Sequence, residues 1–176
     1  DVCSSDLILF VATKKQAKEI VANAAGKANM PYIVERWPGG MLTNFATVRK
    51  SVKKMGQYEK METDGTFSNI SKKERLMITR AKAKMERFLG SISDLSRLPA
   101  AVFIIDLNKE HIAVAEAHKL NIPTFGIADT NTDPTQVDFA IPANDDASKS
   151  ISLIMETMVK AIRSEEHTSE LQSPCN

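Results

Sequence analysis

"PAAVFIIDLNKEHIAVAEAHKLNIPTFGIAD", residues 99 to 129, places a polar, periodic segment between two short apolar runs. The runs, Ala100 to Asp106 and Pro123 to Asp129, are too uniformly apolar for strands with one wet face. They read as strands of a parallel sheet covered on both sides. Residues 109 to 120 between them are predicted helical, with Ile112, Ala115 and Leu120 turned inward.

Three more runs of the same kind lie outward from this unit: ILFVAT (8 to 13), PYIVER (31 to 36) and VDFAIPA (137 to 143). Within residues 14 to 28, Ala17, Ile20, Val21 and Ala24 follow the spacing of one helix face. Ala147, Ile151, Ile154, Met155, Met158 and Ile162 do the same within residues 145 to 162. Strands and helices alternating at these lengths predict an α/β doubly wound sheet of about five strands.

Residues 43 to 90 have another texture. Phe45, Val48, Val52 and Met55 predict one packed helix, TDGTFSN (63 to 69) a turn, and Met77, Ala81, Met85 and Phe88 a second helix. Ser71 and Glu74 have capping-box spacing at its start, and Gly90 can end it. The simplest arrangement is an antiparallel helical hairpin inserted between the second and third strands. It carries 12 Lys and Arg against 5 Asp and Glu. A positive excess gathered on one narrow element favours a polyanion partner, because Lys and Arg that neutralise phosphates release condensed counterions.

The ends have a separate origin on this reading. One permitted back-translation of Asp1 to Asp6 and the start of the Leu7 codon is the reverse complement of one for Arg163 to Ser169. That relation looks like a sequencing-library adapter, so residues 1 to 7 and 163 to 176 are expected to be non-native tails around a single domain, 8 to 162. Both cysteines, Cys3 and Cys175, fall in the tails. The domain then offers no disulfide or cysteine metal site and reads as a protein of a reducing compartment. Without the tails it has 22 Lys and Arg against 17 Asp and Glu. No apolar run is long enough to span a bilayer.

Small ligands of open α/β sheets bind beyond the carboxyl ends of the strands, which here carry Lys14, Lys15, Arg36, Asp106, Asp129, Asp145 and Asp146. An enzyme on a Rossmann-like sheet could use carboxylates such as Asp106 or Asp129 for acid–base or magnesium work and Lys14 or Lys15 for the phosphate of a small metabolite. That is the alternative reading. Against it, TKKQAKE follows the first run without the glycines of a phosphate-cradling loop. Asp and Asn after strands are also ordinary helix caps, and Asp145 and Asp146 suit the N-terminal dipole of the last helix. His111 and His118 are two turns apart, too far for easy shared chelation, and no GxSxG context surrounds a serine. No catalytic residue, cofactor or metal site is expected.

The stretch RWPGG (36 to 40) fits neither catalysis nor plain core. Trp37 can wedge the hairpin base against the sheet, or stack on an unpaired base while Arg36 meets a phosphate. The two glycines permit left-handed or crowded backbone.

RWPGGMLTNFATVRKS, from Arg36, resembles the RW-x-GG-x-LTN segment of the bacterial small-subunit ribosomal protein S-two family. The resemblance continues through DGTF, KKE, residues 99 to 123 and DTNTDPTQVDFAIPANDDA (129 to 147), and covers essentially all of 8 to 162. Pro38 stands where many relatives have leucine, and the family's amino-terminal portion and variable tail are expected to be missing. The resemblance implies a flavodoxin-like sheet with a protruding coiled-coil hairpin. It implies a non-catalytic, cytoplasmic protein set between head and body of the small ribosomal subunit, on ribosomal RNA. It also implies contacts with other small-subunit proteins, including the large protein S-one, and none with membrane or a small-molecule substrate. By analogy, RNA contacts are expected from Arg49, Lys50, Lys53, Lys54, Lys72, Lys73 and Arg80 on the hairpin. Lys14, Lys15, Arg36 and Trp37 are expected to add contacts near the sheet edge. Phosphate contacts of this kind position a protein more than they read sequence. A hairpin that docks a protein instead is a third possibility.

Overall fold

Four consecutive buried residues, Ala101–Ile104 (β3), form the central strand of a five-stranded, wholly parallel sheet. The structure is a computed structural model that describes residues 7–64 and 70–171, with side chains to residue 164. The strands are Ile8–Val11 (β1), Tyr32–Ile33 (β2), β3, Thr124–Ala128 (β4) and Phe139–Pro142 (β5), in the order β2-β1-β3-β4-β5. This is the doubly wound order of flavodoxin-like sheets. In register, Phe10 lies beside Phe103, and Phe103 beside Phe125.

Alternation along the strands divides the core into two layers. Leu9, Val11, Val102 and Ile104 face one side, where Ala113, Val114 and Ala117 of helix α4 (His111–Lys119) cover them. Phe10, Phe103 and Ile105 face the other. There Ala17 and, from α1 (Lys18–Lys27), Val21 and Ala25 join Ile151 and Met155 of α5 (Ser148–Leu171). The Phe10 and Phe103 rings lie 5.5 Å apart. Helices α1 and α4 stop in the same way. Asn29 and Asn121 take left-handed backbone (φ 50° and 52°), and the next amides, Met30 and Ile122, donate back to Ala25 and Ala117. Asparagine tolerates that conformation at a helix end almost as glycine does.

The edges depart from the sequence-based expectation. PYIVER contributes only two strand residues, because the chain turns away after Ile33 toward Trp37. VDFAIPA is not buried on both faces: β5 is an edge strand, and Phe139 is 55 % exposed although its ring stacks on Phe125 at 4.7 Å. The first helix begins at Lys18, not residue 14, since a turn at Lys14 comes first. In α4 the expected inward face is out of phase. Ile112, Ala115 and Leu120 are exposed, whereas Ala113, Val114, Glu116 and Ala117 are buried. The helix is thus turned from the expected phase, with an acid, Glu116, on its buried face.

Gly126 in β4 sits close against the Leu107 side chain. A Cβ built there would stand 2.5 Å from Leu107 Cδ2, and Leu107 is itself fully buried. Gly126→Ala is therefore expected to destabilise by about 1–3 kcal/mol through overpacking, measured as a lower urea midpoint with an unchanged slope.

Candidate nucleic-acid interface

Between β2 and β3 the chain leaves the sheet as two helices packed on each other, α2 (Phe45–Thr63) and α3 (Lys72–Leu89). Neither could stand alone. No residue of α2 is buried, and in α3 only Leu89 is. Their shared seam is half-buried: Phe45, Val48, Val52 and Met55 from α2, with Ile78, Ala81, Met85 and Phe88 from α3. Met77, expected in that seam, is instead 63 % exposed, and Ile78 takes its place. Phe45, Val48, Val52 and Phe88 reach the α4-side core, so the start of α2 and the end of α3 share one root. Ser71 caps α3 as its spacing suggests, its hydroxyl accepting from the Glu74 amide at 3.3 Å. Of the expected turn at 63 to 69, residues 65–69 lie outside the described residues.

The cations occupy the faces away from the seam. At roughly 100° per residue, Arg49, Lys50, Lys53, Lys54 and Lys60 fall within an arc of about 140° on α2, and all are exposed. Lys72, Lys73, Arg80, Lys84 and Arg87 fall within about 120° on α3 and are exposed too. Some already have tasks within the fold. Arg49 Nη1 donates to the Ser96 carbonyl at 2.6 Å, Lys54 lies 5.7 Å from the Tyr58 ring centre, and Arg87 pairs with Glu35 at 2.8 Å. Among the described residues, Lys50, Lys53, Lys60, Lys72, Lys73, Arg80 and Lys84 enter no ion pair.

Residues 36–43 join this arm to the sheet, and here Trp37 is found as a wedge. It is 6 % exposed and belongs to the α4-side core. The expectation that it stacks on RNA is therefore corrected, while Arg36 beside it is exposed. The indole finds its polar partner in Glu116, a residue the sequence reading passed over. Trp37 Nε1 and the Gly40 amide donate to Glu116 Oε1 at 3.1 and 2.7 Å. The amides of Leu42 and Thr43 and the Thr43 hydroxyl donate to Oε2 at 2.9, 3.1 and 3.2 Å. Burial alone would push this carboxyl up, but the indole and the three amides more than offset it and hold it below the usual glutamate range. The available signal was a single acid among Ala113, Val114 and Ala117, on the face that covers the sheet.

Gly40 takes a left-handed backbone, φ 83°, as it turns its amide to that carboxylate; Gly39 does not. Gly40→Ala should destabilise by about 1–2 kcal/mol. Gly39→Ala, with nothing within 4 Å of the added carbon, should stay within about 0.5 kcal/mol. Paired urea titrations of the two variants check the difference.

At the carboxyl ends of the strands the expected lysine contact is also revised. Lys15 is exposed, but the Lys14 ammonium is enclosed by Asp146 at 2.7 Å, Asp145 at 2.8 Å and Asp106 at 3.4 Å. Burial would lower its pKa, and the three carboxylates instead hold it above the usual lysine range. An ammonium so neutralised is not a phosphate contact. The acids are likewise engaged: Asp106 accepts from the Lys109 amide, and Asp129 from Thr130 and Asp145 amides. Asn144 accepts from the amides of Asp146 and Ala147, in the turn that precedes α5.

These features define a doubly wound α/β protein with a cationic helical arm, whose strand-end acids serve the fold. The family model described as "Ribosomal protein S2" matches residues 2–165, and the chain belongs to that family. It is 66 % identical over 155 residues to "Small ribosomal subunit protein uS2" of Christiangramia forsetii, covering 88 % of this chain and 52 % of that protein. It is 64 % identical over 155 residues to the Flavobacterium johnsoniae protein of the same name, covering 88 % and 61 %. For that of Bacteroides thetaiotaomicron the identity is 60 % over 159 residues, covering 90 % and 57 %. The chain thus spans little more than half the length of these curated relatives.

Proposed function

We propose that the chain is a structural, non-catalytic constituent of the small ribosomal subunit, bound to ribosomal RNA through its helical arm. The observation that carries this reading is the set of exposed cations on the outward faces of α2 and α3, of which Lys50, Lys53, Lys72, Lys73 and Arg80 enter no ion pair among the described residues. The names of the relatives support it, each being a small ribosomal subunit protein. The contact set comprises Lys50, Lys53, Lys54, Lys72, Lys73 and Arg80 on the arm, with Lys15 and Arg36 near the sheet edge; Arg49 is partly engaged by the Ser96 carbonyl. A cytoplasmic, ribosome-bound location and contact with other small-subunit proteins, the large protein S-one among them, belong to the same proposal. No helix among the described residues is long and apolar enough to cross a membrane.

The proposed domain is 8 to 162, with the arm inserted at 43 to 90 and non-native tails outside it. Titration of small-subunit ribosomal RNA across a range of salt concentrations tests the function. Log affinity should fall linearly and steeply with log salt, and binding indifferent to salt would refute the reading.

A further inference from the structure

A two-helix arm rooted in a sheet has a direction only if its joints are fixed. The root after α3 is mainly apolar, with Leu89, Ile92 and Leu95 sunk in the core and one hydroxyl, Ser91, donating to the Tyr32 carbonyl. The root before α2 is different. Across residues 37–43 four N–H groups and one hydroxyl converge on the Glu116 carboxylate. Glu116 is 8 % exposed, and no cation among the described residues pairs with it. Each of these five contacts brings it a donor, so its negative charge is matched by aimed dipoles from one short segment. Charge-assisted bonds of this kind are stronger and more directional than neutral ones. The polar joint is thus a single side chain of α4, a helix packed on the sheet, gripping the chain just before Phe45 begins α2.

We propose that Glu116 is the positioning residue of the arm. By gathering the donors of residues 37–43 onto a sheet-bound helix, it sets the direction in which α2 and α3 leave the body. The Arg49–Ser96 and Arg87–Glu35 contacts depend on exposed arginine side chains and act as stays on a course already set. In its effect on affinity the inference rests on the RNA-facing reading of the arm; in its effect on geometry it does not. An arm held in one direction binds without the entropic cost of being ordered on contact.

Glu116→Gln keeps the shape but turns an NH2 group toward donors, so one oxygen site is lost to repulsion. Spin labels at Ala83→Cys on α3 and Glu156→Cys on α5, with Cys3 and Cys175 replaced by serine, report the arm-to-body distance through pulsed dipolar spectroscopy. The parent should give one narrow distribution, and Glu116→Gln at least a doubling of its width. Ribosomal RNA affinity should weaken about tenfold while the salt slope, which counts phosphates, stays the same. A folded Glu116→Gln protein whose distance distribution matches the parent's would overturn the inference. If that variant does not fold, hydrogen exchange in the parent decides. The Gly40, Leu42 and Thr43 amides should be protected like those of the sheet, and exchange at open-loop rates would overturn the inference. Failure of the parent to bind RNA with any salt dependence would remove the RNA reading and leave the distance result to stand by itself.

Discussion

Replacing Lys50, Lys53, Lys72 and Lys73 together by alanine is expected to weaken binding to small-subunit ribosomal RNA by on the order of a hundredfold or more at physiological salt. All four are exposed and enter no ion pair among the described residues, so their removal leaves no buried partner and should not alter stability. Each lysine that meets a phosphate should take about one unit from the slope of log affinity against log salt. The quadruple variant should therefore lose about four units if all four make contact. Lys14→Ala is an informative contrast. It removes the same formal charge, but from an ammonium already surrounded by carboxylates, and its salt slope should not change. A quadruple variant with the parent slope would show that the arm's charge does not face RNA.

The largest effect on stability is expected at Lys14. Lys14→Met removes the ammonium from Asp106, Asp145 and Asp146 and leaves Asp145, whose side chain is 4 % exposed, without its counter-charge. Breaking a buried pair from one side costs about 3–5 kcal/mol. The lower end applies here, because the Asp146 side chain is 60 % exposed and water screens it. The pH dependence has a definite sign. Burial already pushes the Asp145 carboxyl up, against the pull of Lys14, and without Lys14 it rises further. Between its unfolded and folded pKa values the native state then binds more protons than the unfolded state, so stability falls as pH rises. Acidification should therefore restore part of the loss in Lys14→Met. Glu116 has the opposite sign: held below the usual range, it contributes stability above its unfolded pKa that is lost as pH falls through the folded one. It is common to both proteins and cancels in their difference. Denaturant titrations of parent and variant at pH 5 and pH 8 check this, and a penalty that grows toward pH 5 would contradict it.

The layers of the fold were legible because they are written in local periodicity. Val21, Ile151 and Met155 are buried where their spacing places them, and Ala101–Ile104 is buried throughout, as a central parallel strand must be. The outward cations of α2 and α3 follow from the same logic. What local pattern could not supply was the partner of each polar group. Trp37 and Glu116 are 79 residues apart in sequence, and Lys14 and Asp145 are 131 apart. Nothing within either neighbourhood says that an indole will meet a carboxylate or that a lysine will be enclosed. The phase of α4 was lost for that reason: Ile112, Ala115 and Leu120 were expected inward, whereas Glu116 is buried, and only the donors of residues 37–43 make that burial tolerable. The edge position of β5 depends on which strands pair, and an apolar run does not encode that.

The chain contains a single tryptophan, and its ring is seated at the joint, with Nε1 donating to Glu116. Selective excitation of the indole therefore samples the arm's hinge and no other part of the molecule. Its emission wavelength and quenching can follow the coupling of arm to body in unlabelled protein, free or while it assembles onto RNA.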